Sequence, residues 1–272
     1  MAGSVRSTSW PRLWLASPRG ADRIPRSIND VSEEPSDAGK SQGTEQGRLD
    51  RGPQKLLARE KEFTRLRDQL SQERRNLPWE KVEKNYVFDG PQGKESLADL
   101  FGGRRQLIVY HFMFDPSWEE GCKSCSFWAD NFDGIVVHLR QRDTNLVAIS
   151  RAPLSKLQDY RKRMGWHFKW LSSTANEFNY DYHVSFTPEE LAKGEAFANY
   201  AIRNPFGPET VGISVFCKDA GGAVYHTYSC YQRGVEMVNG AYHFLDLLPK
   251  GRDEASTGNP QAWVQRHDSY GK

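Results

Sequence analysis

This 272-residue chain predicts an α/β fold: a mixed central sheet flanked by helices, with a peripheral helix ahead of it. Three observations carry that reading. From Val82 onward, strand and helix signals alternate, the order of a sheet built through crossover connections. Later, Val211–Lys218 and Ala223–Cys230 are β-rich runs on either side of Asp219-Ala220-Gly221-Gly222, which reads as an antiparallel hairpin. Between them in importance, Cys122-Lys123-Ser124-Cys125 follows an apolar run and opens a segment of helical periodicity.

Taken in order, residues 1–52 read as a disordered extension. Ser, Gly, Pro, Asp and Arg dominate and no period of 2 or 3.6 is present. The Arg-rich, acid-poor start bears a weak likeness to a transit peptide, and its apolar run is too short and broken for a secretory signal. The 53–81 segment carries an amphipathic helix over residues 53–77 that Pro78 ends. Leu56, Phe63, Leu70 and Leu77 recur every seven residues, with Leu66 on the same stripe. That stripe either packs on its own domain or pairs with a second copy, so a homodimer is left open.

The main domain spans 82–250. Tyr86–Phe88 reads as a strand followed by a turn at Asp89-Gly90-Pro91 and Gly93. Leu97, Leu100 and Phe101 suit a short helix stopped by Gly102-Gly103, and Leu107–Phe114 is a buried strand. One helix from Ser126 to Arg140 follows the CxxC, with Trp128, Phe132, Ile135 and Leu139 on one stripe. Leu146–Ser150 is the next strand, and Pro153 opens a helix through Met164 that stops at Gly165. In the closing 251–272 segment, "AWVQRHDSY" suits a short packing helix.

Composition bounds the function. Lys and Arg number 37 against 35 Asp and Glu, for a net charge of +2, which argues against nucleic acid or an anionic membrane as partner. No apolar stretch approaches the ~20 residues of a membrane span. Four cysteines in this length do not make a secreted disulfide scaffold. They point instead to a reducing, cytoplasmic setting with one working dithiol.

The CxxC spacing suits thiol–disulfide chemistry. Two thiols two residues apart can close a small disulfide, and unpaired N–H groups at a helix start favour a thiolate on the first. Cys122 is therefore the candidate attacking thiol and Cys125 the resolving one. Lys123 adds positive charge beside the sulfur, whereas Glu119 and Glu120 act the other way if close. His111, near the end of the preceding strand, is placed to exchange protons with the thiols. Arg151, just after the Leu146–Ser150 strand, is a candidate anion or peroxide contact. His226, Tyr228 and Tyr231 form an aromatic–polar cluster that either lines a groove or packs.

A zinc site would need two more ligands; Cys217 and Cys230 lie too far apart for a second knuckle and the seven histidines show no tight pairing. No metal and no cofactor are expected. If 219–222 is the hairpin loop, Cys217 faces Val224 and Cys230 faces Val211. That puts the two cysteines roughly 20 Å apart along the ladder, so no disulfide is expected between them.

Several strings together resemble a known group: "LIVYHFMF", "WEEGCKSCSFWADNFDG", "VAISRAPLSKLQDYRKRMGW", "FNYDYHVSFTPEE", "TYSCYQRG" and "LDLLPKGRDE". It is the bacterial thioredoxin-like family called domain of unknown function eight-nine-nine, and the likeness runs from about Lys55 to Tyr270. The resemblance implies a thioredoxin-like fold and a redox role carried by Cys122 and Cys125. More distantly, "YVFDGPQGKESLADLFGGRRQLIVYHF" looks like the peroxiredoxin branch of the fold. There a Thr stands three residues before the reactive cysteine; here Glu119 does. The proline that thioredoxins place before the strand equivalent to Val211–Lys218 is replaced by Thr210-Val211-Gly212.

Three functions follow as expectations. The first is a dithiol oxidoreductase acting on protein or small-molecule disulfides and recharged by a reductase. The second is a thiol peroxidase using the same pair with Arg151 assisting. The third is a non-catalytic interaction module.

Overall fold

The computed structural model describes residues 51–254 and 258–271. The expected extension and transit-peptide likeness in the first fifty residues lie outside them. The chain divides into two units, 1–60 and 61–272. Of the first, residues 51–60 are the opening of helix α1 (Arg51–Arg75).

Helix α1 has Gly52 and Pro53 in its first turn, carries no breaker after them, and places Arg74 and Arg75 at its negative end. Its apolar stripe is not buried: Phe63, Leu66 and Leu70 are all exposed. Strong helix formers fill its run.

The second unit is organised by one eight-stranded sheet. In chain order its strands are β1 (Glu80–Lys81), β2 (Val87–Gly90), β3 (Gly93–Ser96), β4 (Gln106–His111), β5 (Thr144–Ser150), β6 (Lys169–Ser172), β9 (Gly212–Lys218) and β10 (Val224–Tyr231). A separate hairpin pairs β7 (Ala196–Ala198) with β8 (Ala201–Arg203). Across the sheet the order is β1-β10-β9-β4-β5-β6-β2-β3. β4, β5 and β6 run parallel, and β9 returns antiparallel against β4. Helices α2 (Lys123–Ala129), α3 (Phe132–Arg140) and α4 (Leu154–Arg163) occupy the crossovers β4→β5 and β5→β6. A parallel β–α–β unit joined to an antiparallel hairpin through the central strand is the thioredoxin-like arrangement, as expected.

The central strands β4 and β5 are buried on both faces, which is why they read as apolar runs rather than alternating ones. One face packs Tyr110, Phe112, Phe114, Trp128, Tyr160 and Trp170. The Phe112 and Trp170 rings lie 4.5 Å apart. The other face packs Phe88, Leu107, Val109, Val147, Ile149 and Phe216. Each fully buried side chain of this size contributes about 2–3 kcal/mol.

Four details differ from expectation, each for a local reason. The Leu107–Phe114 run leaves the sheet after His111. The helix expected over 126–140 is two helices, because Asn131 Nδ2 donates to the Phe127 and Trp128 carbonyls (3.1 and 3.2 Å), and Asp133 accepts the His167 and Phe168 N–H groups. The β9–β10 loop holds five residues, since Asp219 Oδ1 accepts the Ala223 N–H at 2.9 Å. Cys217 then faces Tyr225, and a bulge between His226 and Tyr228 sets Cys230 opposite Ile213. The cysteines remain about 13 Å apart along the ladder, and both are free thiols. Finally, "AWVQRHDSY" forms turns and no helix; side-chain ties to the rest of the unit hold it instead.

Candidate functional site

The dithiol sits where β4 gives way to α2. After His111 the chain makes a compact connection over 112–121 held by its own backbone. Met113 O accepts the Cys122 N–H at 3.1 Å, and Phe114 O accepts the Ala152 N–H at 2.8 Å. Asp115 Oδ1 takes the Ser117 N–H at 2.9 Å. Lys156 Nζ donates to the Pro116 and Trp118 carbonyls. Gly121 is needed because the chain passes close to two rings. A Cβ there would meet Phe112 Cε1 at 2.8 Å and Tyr160 Cε1 at 3.1 Å.

Cys122 is the N-cap residue of α2, with φ −52° and ψ 128°. Its carbonyl already accepts the Ser126 N–H at 3.0 Å. The two sulfurs are unequal. Cys122 is partly exposed, while Cys125, on the first turn, is buried against the aromatic face. The Cys125 thiol hydrogen-bonds the Cys122 sulfur, and that contact is the main cause of a Cys122 pKa lowered to about 6. The backbone N–H groups of Cys125 and Ser124 and the charge of Arg266 add to it, against the opposing effect of burial. Burial pushes the Cys125 thiol well up. The part-exposed Cys122 is thus the sulfur whose ionisation is favoured, and the buried Cys125 the one whose ionisation is opposed.

The supporting residues expected from sequence are placed differently. His111 is not at the thiols. Side chains alternate along β4, so Tyr110 faces the dithiol and His111 points to the other sheet face. There it packs against Phe178 and Tyr182, with ring centroids at 5.6 and 6.1 Å. Its Nε2 is 2.8 Å from Ser214 Oγ, the start of a buried chain through Ser229 Oγ to His226 Nε2 at 2.8 and 2.7 Å. The His226–Tyr231 cluster thus belongs mainly to packing.

Lys123 does not set its charge beside the sulfur; its Nζ donates to the Ala262 carbonyl at 3.2 Å. Arg151 does stand at the sheet edge near the loop, but its guanidinium is committed. Nε donates to Glu209 at 2.6 Å, and the two Nη groups meet Tyr180 Oη and Asp115. Glu209 is buried with this cluster, and desolvation raises its pKa to about 7. Glu120 is also taken up, by Arg163 and by Arg266.

Two residues at the site were not singled out from sequence. The Tyr110 hydroxyl lies 3.5 Å from the Cys125 carbonyl, a position the sequence does not mark because β4 is buried on both faces. Arg266 comes from the 258–271 segment, and no local pattern marks it. Among the described residues no group of three or more His, Cys, Asp or Glu side chains is disposed to hold a metal ion. No helix among them is long and apolar enough to cross a membrane.

The chain matches the family model described as bacterial protein of unknown function (DUF899) over residues 42–270. No curated protein matches it in sequence. Solved structures similar to it include a cysteine mutant of PrxQ from Xylella fastidiosa, at 11% identity and a TM-score of 0.41, covering 62% of this chain and 96% of that one. Another is peroxidoxin BcpB from Mycobacterium tuberculosis, at 11% identity and a TM-score of 0.40, covering 60% and 93%. A third is a putative thiol:disulfide interchange protein DsbE from Chlorobium tepidum, at 12% identity and 0.38, covering 62% and 95%.

Proposed function

The chain belongs to the bacterial family of unknown function DUF899, and within that family we propose that it works as a thiol–disulfide oxidoreductase through Cys122 and Cys125. The observation that carries this reading is the inequality of the pair: a part-exposed sulfur of lowered pKa directly against a buried thiol. The Cys122 thiolate attacks one sulfur of a substrate disulfide. The substrate S–S bond breaks, a Cys122–substrate bond forms, and the departing thiolate takes a proton from solvent. Cys125 then loses its proton and attacks the Cys122 sulfur. The substrate leaves with both sulfurs reduced, and the protein holds a 122–125 disulfide. A dithiol reductant supplies the two electrons that reset it.

Protein disulfides and small-molecule disulfides both fit this chemistry. Peroxide reduction through Arg151 fits less well, because Glu209, Tyr180 and Asp115 already occupy its guanidinium. The test is Cys125→Ser incubated with a disulfide substrate such as insulin or an aromatic disulfide. A stable covalent adduct on Cys122 is the expected result, with wild type turning over in the presence of a dithiol. Absence of both adduct and turnover overturns the proposal.

A further inference from the structure

We infer that Arg266 is a positioning residue of the dithiol, pinning the backbone on the near side of Cys122 and holding a fixed cation beside its sulfur. The inference deepens the oxidoreductase reading and rests on it for its biological sense, though not for its test.

The geometry is a clamp. Arg266 Nη2 donates to the Gly121 carbonyl at 2.9 Å, one residue before Cys122. Its Nε donates to Tyr160 Oη at 2.8 Å, and that hydroxyl lies 2.9 Å from Ser126 Oγ. Ser126 Oγ in turn donates to the Cys122 carbonyl at 2.9 Å. One guanidinium therefore reaches both peptide groups that flank the Cys122 Cα, directly on one side and through two hydroxyls on the other. The same segment receives the Lys123 ammonium at Ala262 O. Trp263 packs its ring edge on Phe127, 5.5 Å between centroids. His267 Nδ1 meets Asp130 at 2.7 Å at the far end of α2. Residues 262–267 thus run along the CxxC helix with a contact at each end and at its middle.

Bracing alone would not explain the choice of side chain. A planar fork can hold a carbonyl and a hydroxyl at once, which an ammonium cannot do as well. The fork also carries a charge, and Arg266 favours the Cys122 thiolate. Glu120 shares that charge at 2.8 Å from Nη1, but it is divided between Arg266 and Arg163. Stabilising the thiolate stabilises the reduced dithiol, so the same residue makes the 122–125 disulfide easier to reduce.

The experiment uses the full chain carrying Arg266→Gln or Arg266→Lys. Two readouts need no substrate: the pH profile of Cys122 alkylation, and the equilibrium of the dithiol with a glutathione redox buffer. R266Q is expected to raise the alkylation midpoint by about one pH unit. It should shift the glutathione equilibrium about tenfold toward the protein disulfide, close to 30 mV more reducing. R266K, which keeps the charge and loses the fork, is expected to recover more than half of both shifts. A folded R266Q with the wild-type midpoint and equilibrium overturns the inference. So does an R266K that matches R266Q in both, because the charge would then have no part. Should R266Q fail to fold, Tyr160→Phe removes the hydroxyl that Arg266 Nε grips; a midpoint unchanged in Y160F overturns the clamp. Failure of C125S to trap a substrate would remove the oxidoreductase reading while leaving these thiol measurements valid, so the two failures are distinguishable.

Discussion

The Tyr110 hydroxyl lies 3.5 Å from the carbonyl oxygen of Cys125, deep on the sheet face that carries α2. Burial holds Tyr110 protonated, its pKa raised well above the ordinary range. Its hydroxyl proton is available for donation, and its contact with the Cys125 side chain favours the ionised sulfur. In the proposed cycle Cys125 becomes a thiolate to release substrate, and it is that second half that Tyr110 would assist. Tyr110→Phe is expected to leave Cys122 alkylation unchanged and to slow resolution of the mixed disulfide about tenfold, the cost of one charge-assisted hydrogen bond. Stopped-flow detection of the mixed disulfide checks this; equal lifetimes in wild type and Y110F would count against it.

The lowered pKa of Cys122 has a definite pH signature. With a value of about 6, the thiolate fraction is nearly complete at pH 7, and alkylation should be almost flat from pH 7 to 9. An ordinary thiol would still be climbing through about 8.5. The leading cause is the hydrogen bond from Cys125. Cys125→Ala should thus move the midpoint up by at least about one unit, more than any change to a remote charge. A midpoint that stays in place in C125A would assign the shift to the helix start and Arg266 instead.

Much of this arrangement is legible in the sequence, and the limits are physical. The helix start at the CxxC and the stop at Gly102-Gly103 follow from residue type and short-range period and occur where those signals stand, while the hairpin strands occur with a shifted register. The side of β4 that meets the dithiol does not follow. A strand buried on both faces shows no apolar–polar alternation, so nothing distinguished Tyr110 from His111 until α2 was seen to pack on one face. Arg266 was beyond reach for another reason. It is 145 positions from Gly121, and its contact is a tertiary one with no periodic trace. Lys123 is adjacent to the sulfur in sequence, yet at the first helical position its side chain runs outward to Ala262.

Gly121 sets the approach of Cys122. Its neighbours are the rings of Phe112 and Tyr160, both packed in the aromatic face. Gly121→Ala would force a methyl to 2.8 Å from Phe112, and neither ring has room to retreat. The expected cost is about 1–3 kcal/mol of stability, read as a lower denaturant midpoint. Because Arg266 grips the Gly121 carbonyl, the same variant should also raise the Cys122 alkylation midpoint. A stability change without any change in the pH profile would separate the two roles.

His111 titrates against stability rather than for catalysis. Desolvation, with His226 nearby, lowers its pKa to about 3. The folded protein thus holds it neutral at pH values where the unfolded chain, near 6.5, would bind a proton. Stability from this source is complete above about pH 6.5 and falls as the pH drops toward 3. Its slope is at most about 1.4 kcal/mol per pH unit. His226 is lowered in the same direction, chiefly by burial, and adds to the loss. His111→Asn keeps a polar group for Ser214 and removes the titration. It should lower stability at pH 7 through lost packing, yet make stability fall less steeply between pH 6 and pH 4. Urea unfolding at those three pH values measures it. Parallel pH dependences in H111N and wild type would place the acid sensitivity elsewhere.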